Sequence, residues 1–440
     1  MGTERQAHGA PPRDFGFETR MVHAGHIPDS VVGARAVPIY QTTSYVFYDT
    51  DHAADLFDLK TYGHIYSRIS NPTVSVLEER VASLEGATGA VAAASGMGAQ
   101  LALFLTLLEP GDEVVSSSHL YGGTSTQLTF TLPRMGIKTT FVTPGDFDAW
   151  ESAIGPKTKA LYGETIGNPQ GSILDIGKLG ALAKSKGIPL IVDNTVASPA
   201  LCRPMEHGAT LVVHSATKYI GGHGNSLGGI LLDSGKFDFS RYPSLAEPTP
   251  QYHDLRYLDT FGHYAFLMKA RSVTLRDTGA SLSPLNAFLL LQGVETLSLR
   301  MERHVQNALG VARFLKDHPR VAWVSYAGLP DHPDHALSLK YLPKGPSAVL
   351  SFGLKPRGGE NVRTAGSTFI QGLRLWSHLA NIGDVRSLVI HPASTTHRQL
   401  SDEELRAAGV GPELIRLSVG IENLEDLLWD LDQALLARSD

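Results

Sequence analysis

The chain has 440 residues, of which 42% are hydrophobic and 19% charged, and carries a formal net charge of −6. That balance fits a globular protein with small-molecule partners and gives no basic footprint for nucleic acid or anionic lipid. Apolar runs such as Leu101–Leu108 fall far short of the roughly 20 residues a membrane span needs. Residues 1–16 are polar, with two prolines and no apolar core of a secretory signal, and are expected as a disordered tail. The single cysteine, Cys202, excludes an intramolecular disulfide and suits a reducing cytoplasm. A lone thiol of this kind is expected to be an inert core residue.

A chain this long exceeds one compact core. Residues 17–71 show little periodicity and many glycines, prolines and tyrosines, which predicts an arm stabilised on a neighbouring subunit. From Pro72 helix and strand patterns alternate. Val74–Leu84 has helical spacing with Gly86 as a stop, and Gly89–Ser95 reads as a strand. Gly98–Leu108 reads as a helix, Glu113–Ser116 as a strand, and Thr124–Leu132 as a helix closed by Pro133. Further strands are predicted at Lys138–Val142, Ala160–Glu164, Pro189–Asp193, Thr210–His214 and Gly229–Leu232. This α/β alternation predicts a mainly parallel central sheet in a large domain over 72–283. Asn286–Leu315 reads as one long helical stretch, opening a smaller C-terminal α+β domain over 284–440.

Ligands of such sheets bind at the carboxyl ends of the strands, where Ser95, Asp193 and Ser215 are predicted to lie. In Ser215-Ala216-Thr217-Lys218 a lysine follows two hydroxyl residues and precedes a glycine-rich turn. A lysine able to form an imine, hydroxyls for a phosphate and a carboxylate for a pyridinium are the groups that pyridoxal phosphate requires. The turn Ser95-Gly96-Met97-Gly98 aims backbone N–H groups and a helix N-terminus at an anion, and Arg68 could add a bidentate contact. Tyr121, before Gly122-Gly123, could stack on a flat ring for which the glycines leave room. Asn168 could bond a phenolate oxygen or simply punctuate a turn. Arg416 lies in an apolar strand and needs an anion, either a substrate carboxylate or a structural acid. Asp331-His332-Pro333-Asp334-His335 could hold a metal, but loop histidines usually face water, and no metal is expected.

Together these motifs, with Tyr66-Ser67-Arg68-Ile69-Ser70-Asn71-Pro72-Thr73 and Tyr121-Gly122-Gly123-Thr124, resemble the Cys/Met-metabolism family of pyridoxal-phosphate enzymes. The resemblance runs from about Phe17 to Ala437 and implies a fold-type I, aspartate-aminotransferase-like transferase. Leu275–Ala280, Ser283–Phe288, Gln292–Leu297 and Ser387–His397 look most like its O-acetylhomoserine sulfhydrylase branch, and Tyr242–Tyr264 resembles a segment that shorter relatives lack. It implies that Lys218 anchors the cofactor covalently and shuttles protons, and that Asp193 keeps the pyridine nitrogen protonated. Gly96, Met97, Ser215 and Thr217 would hold the phosphate with Tyr66 and Arg68 from a neighbouring subunit. Tyr121 would stack on the ring and Asn168 contact its phenolic oxygen, while Arg416 and Ser394 would bind the substrate carboxylate. The implied reaction replaces the acetate of O-acetyl-L-homoserine by sulfide or another thiol, in a cytoplasmic homo-oligomer of at least two and expectedly four subunits. Cystathionine γ-synthase and the methionine or cystathionine γ-lyases would share the cofactor residues. A non-catalytic protein that merely holds the cofactor would have no use for Arg416 and Ser394.

Overall fold

The computed structural model describes residues 14–358, 360–395 and 411–437. The expected tail therefore lies mostly outside the described residues, as do Thr396 and His397 of the Ser387–His397 stretch. Among the described residues, twelve strands form two sheets. The first seven are β1 (Gly89–Ala93), β2 (Glu113–Ser117), β3 (Lys138–Val142), β4 (Thr158–Glu164), β5 (Leu190–Asp193), β6 (Leu211–Ser215) and β7 (Gly229–Asp233). Their order is β1-β7-β6-β5-β4-β2-β3. The other five are β8 (Val321–Ser325), β9 (Val349–Leu354), β10 (Ser377–His378), β11 (Leu388–Ile390) and β12 (Leu414–Ser418), in the order β10-β11-β12-β9-β8.

The described residues divide into two compact units. The first takes the chain up to Leu108, Val213–Thr217 and Ser226–Thr296; the second takes Glu109–Val212, Lys218–Asn225 and the chain from Leu297. Within the first, β1 and β7 pair antiparallel. Asn71, fully buried, caps the Pro72–Glu85 helix by accepting from Thr73 N at 3.0 Å. Its amide donates to the Tyr40 carbonyl at 2.8 Å, which ties the arm to the helix start. Arg80, also buried, donates to the Ala24 carbonyl and pairs with Glu295, at 2.9 and 3.0 Å. The Tyr242–Tyr264 segment is folded. Tyr252 donates to the Ser272 carbonyl at 2.9 Å and accepts from Arg276 at 2.8 Å, while Tyr257 meets Ser272 Oγ at 2.6 Å.

In the second unit β3, β2, β4 and β5 are mutually parallel, whereas β12 runs antiparallel to both β11 and β9. The purely apolar stretches Leu161–Tyr162 and Leu190–Val192 are buried, as expected of strands covered on both faces.

Two helix predictions are corrected. The Thr124–Leu132 helix begins at Gly122, widens into a π-helical turn at Gln127–Thr131 and tightens into a 3₁₀ turn at Leu132–Met135. Pro133 sits inside that last turn, where its missing N–H costs nothing. The stop is Gly136, whose φ of 79° favours glycine. The Asn286–Leu315 stretch is two helices, Pro284–Val294 and Leu297–Asp317. The break falls at Glu295, whose carboxylate is engaged by Arg80.

Candidate active site

In the first unit, Ser95 caps the Gly96–Leu107 helix, its hydroxyl accepting from Gly98 N at 3.1 Å. A Cβ at Gly96 would lie 2.6 Å from Ser215 Cβ, so only glycine lets this helix start close against the end of β6. Thr217 exchanges hydrogen bonds with Gly228, donating to its carbonyl at 3.2 Å and accepting from its N–H at 3.0 Å. Ser95, Gly96, Met97, Ser215 and Thr217 are half-buried, at one helix N-terminus and one strand end. Tyr66 and Arg68 are exposed, with the guanidinium 5.6 Å from the tyrosine ring centroid and donating to the Arg276 carbonyl.

In the second unit, β4 and β5 end in Glu164 and Asp193, which are register partners on parallel strands. Asp193 accepts from Thr195 N at 2.9 Å. Glu164, buried, accepts from Tyr121 N at 2.6 Å. Burial, then the neighbouring Asp193, pushes the Glu164 carboxyl well above the usual carboxylate range. Glu164 thus pins the turn that carries Tyr121. The tyrosine itself is half exposed and folds its ring over Gly123, where a Cβ would come 2.4 Å from it. That glycine makes room for the tyrosine's own ring, while nothing lies within 4 Å of a Cβ at Gly122.

Lys218 donates from Nζ to Asn381 Oδ1. Burial, then the nearby Arg416, push the Lys218 ammonium down to about 8. Arg416 is held on β12 between Ile390 of β11 and Ser351 of β9. It donates to Asn168 Oδ1 and to the Asn381 carbonyl, both at 3.2 Å. Burial lowers its pKa. Its described partners are neutral oxygens, so of the two anions foreseen for it, the described residues provide no structural acid. Ser351 fixes the Asn168-Pro169 turn by donating to the Pro169 carbonyl at 2.8 Å. Ser394 follows β11; since His391 Nε2 must donate to the Pro412 carbonyl at 2.8 Å, its Nδ1 accepts the Ser394 hydroxyl, also at 2.8 Å.

The second unit therefore joins Lys218, Asn381, Arg416 and Asn168 in one hydrogen-bonded chain. Neither Asn381 nor Glu164 was singled out from the sequence. Asn381 lies in an aperiodic loop whose usable signal was Gly383: its φ is 73° and a Cβ would meet Tyr219 N at 2.7 Å. Glu164 ends an apolar strand as Asp193 does, and that parallel was the missed clue. Cys202 is buried, and its carbonyl holds the Asn194 amide at 2.9 Å. The Asp331–His335 loop is engaged piecemeal: Asp331 with Lys316 at 2.7 Å, His332 with Ser325 at 3.2 Å, Asp334 with Ile173 N at 2.9 Å and His335 with the Ala327 carbonyl at 2.9 Å.

Each unit by itself offers groups that fit part of pyridoxal phosphate: the first a glycine-permitted helix start with flanking hydroxyls suited to a phosphate, the second a strand-end carboxylate and a lysine whose ammonium is destabilised. The family model for Cys/Met metabolism PLP-dependent enzymes matches residues 18–436. The O-acetyl-L-homoserine sulfhydrylase of Leptospira meyeri is 50% identical over 435 residues, covering 96% of this chain and 97% of the relative. The homocysteine synthase of Schizosaccharomyces pombe is 50% identical over 424 residues, covering 95% and 98%. A crystal structure described as an O-acetylhomoserine (thiol)-lyase from Campylobacter jejuni superposes with a TM-score of 0.91 at 42% identity, covering 96% of this chain and 100% of that one, and contains a pyridoxyl-lysine phosphate. The chain belongs to the Cys/Met metabolism family of pyridoxal-phosphate-dependent enzymes, with the fold-type I architecture.

Proposed function

We propose that the protein catalyses a γ-replacement: O-acetyl-L-homoserine loses acetate from Cγ and sulfide takes its place, giving L-homocysteine and acetate. The names of relatives about half identical over nearly the whole chain support this substrate pair. The observation that carries the reading is Arg416, a largely desolvated cation whose described partners are two neutral oxygens beside Lys218. A guanidinium so placed has its fork available for the carboxylate of an amino-acid substrate. Ser394, on the turn after the strand paired with Arg416, assists it once its hydroxyl turns from His391 Nδ1 to the carboxylate.

Bound pyridoxal phosphate supplies an electron sink for negative charge developing at the substrate α-carbon. Asp193 holds the proton on the pyridine nitrogen. Lys218 anchors the cofactor and, once free, takes and returns protons at Nζ; its lowered pKa leaves much of it neutral near pH 8. Asn381 Oδ1 accepts from that Nζ and keeps it aimed while it is free. Tyr121 would cover the ring, and Asn168, whose Oδ1 accepts from Arg416, would meet its phenolic oxygen through the amide N–H. Gly96, Met97, Ser215 and Thr217 take the phosphate, completed by Tyr66 and Arg68 of a second copy. The active unit is then at least a dimer, with a tetramer the expected assembly, and the single cysteine suits a cytoplasmic setting. None of the described helices is long and apolar enough to cross a membrane.

The test is to offer purified holoenzyme O-acetylhomoserine, O-succinylhomoserine, cystathionine and methionine, each with and without sulfide. The expected result is homocysteine and acetate in equal amounts from O-acetylhomoserine only when sulfide is present. Rapid release of 2-oxobutyrate without sulfide would assign a γ-lyase instead.

A further inference from the structure

The Leu297–Asp317 helix carries none of the groups assigned above, yet three of its buried polar side chains share one face, at Arg300, His304 and Asn307. Arg300 donates to the Tyr219 carbonyl at 2.8 Å and the Ile220 carbonyl at 3.2 Å. A Cβ at Gly222, where φ is 75°, would lie 2.2 Å from the Arg300 guanidinium, so the turn after Lys218 is built around this side chain. His304 donates from Nδ1 to the Val419 carbonyl at 2.7 Å, with its ring edge-on to Tyr219 at 5.2 Å between centroids. Burial lowers its pKa to about 4, so the imidazole is neutral at working pH. Asn307 donates to the Gly420 carbonyl at 3.0 Å and the Glu422 carbonyl at 2.9 Å.

Five carbonyls are therefore captured from just two segments. One directly follows Lys218, and the other directly follows the strand of Arg416. We infer that Arg300, His304 and Asn307 are positioning residues that fix the lysine turn and the Arg416 strand to one rigid helix, setting the spacing between the proton-transferring amine and the carboxylate-binding guanidinium. The inference rests on the roles proposed for Lys218 and Arg416. A helix is the suitable frame, because groups on its face cannot shift independently.

The two ends of the ladder should separate kinetically. Arg300→Met frees the lysine turn and should lower kcat about tenfold while KM for O-acetylhomoserine stays within about twofold. It should also weaken uptake of pyridoxal phosphate by the apoenzyme, read from absorbance. Asn307→Leu frees the end of the Arg416 segment and should raise KM about tenfold with kcat nearly unchanged. It should weaken binding of L-norleucine, which has the carboxylate but no leaving group. Arg300→Lys, keeping the charge and N–H donors but not the fork that spans two carbonyls, should recover part of the loss, and it replaces Arg300→Met if that variant does not fold; Asn307→Ser does the same for Asn307→Leu. Lys218→Ala and Arg416→Lys are the references. If they fail to abolish turnover and raise KM, the site reading itself is wrong. If they behave as expected but the helix variants change only thermal stability, or move kcat and KM together, the ladder has no positioning role.

Discussion

The arm and the Lys218 region differ sharply in how far their side chains are buried. Around Lys218 the polar groups are mostly buried and matched to one another: Glu164 and Asn168 are 6% and 8% exposed, and Asn381 takes both the lysine and, through its carbonyl, Arg416. In the arm Met21, Val37 and Leu56 are buried, but several apolar side chains are open, with Val46 96%, Tyr48 90% and Val31 88% exposed. Open apolar side chains of this kind, if they form one patch, suit an interaction surface. Such a contrast is what the proposed dimer requires, with the ring chemistry built into each chain and the arm serving another copy. Tyr66 and Arg68, the two arm residues proposed to reach a neighbour's phosphate, are likewise exposed.

Lys218→Ala gives the largest effect expected if the ring side is self-contained. It removes both the covalent anchor and the base, so kcat should fall by at least about 10³-fold. Borohydride reduction of the wild-type holoenzyme should fix the cofactor on the peptide containing Lys218; label on Lys184 or Lys269 would relocate the site.

Asp193→Ala should follow. Without this carboxylate the pyridine nitrogen loses its proton partner, and about 3 kcal/mol, roughly 10²-fold in kcat, is the expected cost of removing a charged hydrogen bond. Near-normal turnover in this variant would mean that Glu164, its register partner, carries the charge instead.

A smaller effect concerns pH. The folded Lys218 titrates at about 8, below its ordinary 10.5, because burial and then Arg416 disfavour the ammonium. Its neutral form grows as pH rises through that value. The rate of pyridoxal phosphate uptake by apoenzyme should therefore climb about tenfold from pH 7 to pH 9 and then level. The unfolded chain binds the extra proton up to about 10.5, so apoenzyme stability gains from this group as pH rises from about 8 to 10.5. Arg416→Met should move the rate midpoint upward; a rate unchanged between pH 7 and 9 would contradict the assigned environment.

The same contrast explains what was legible in the sequence. Ser95, Asp193 and Ser215 were readable at strand ends because apolar runs covered on both faces stand out in one dimension. The link of Arg416 to Asn168 was not, because it depends on where β12 sits between β11 and β9 and on Ser351 holding the Asn168 turn. Asn381 was invisible for a related reason: its loop has no period, and its value comes only from the Gly383 backbone packed on the Lys218 peptide. The break at Glu295 was masked by continuous helical periodicity, since Arg80, far away in sequence, engages the residue at the break. Arg300, His304 and Asn307 looked like ordinary polar positions on an amphipathic helix until their carbonyl partners were known.

The division of labour between arm and ring side is tested most directly by mixing two inactive variants, Arg68→Ala and Lys218→Ala, under conditions where subunit exchange is shown independently. If Arg68 completes a neighbour's phosphate site, each mixed dimer has one site with native Arg68 from one chain and native Lys218 from the other. Activity should then return, approaching one working site per mixed dimer. If exchange occurs and no activity returns, each chain builds its whole phosphate site alone, and the arm is structural only.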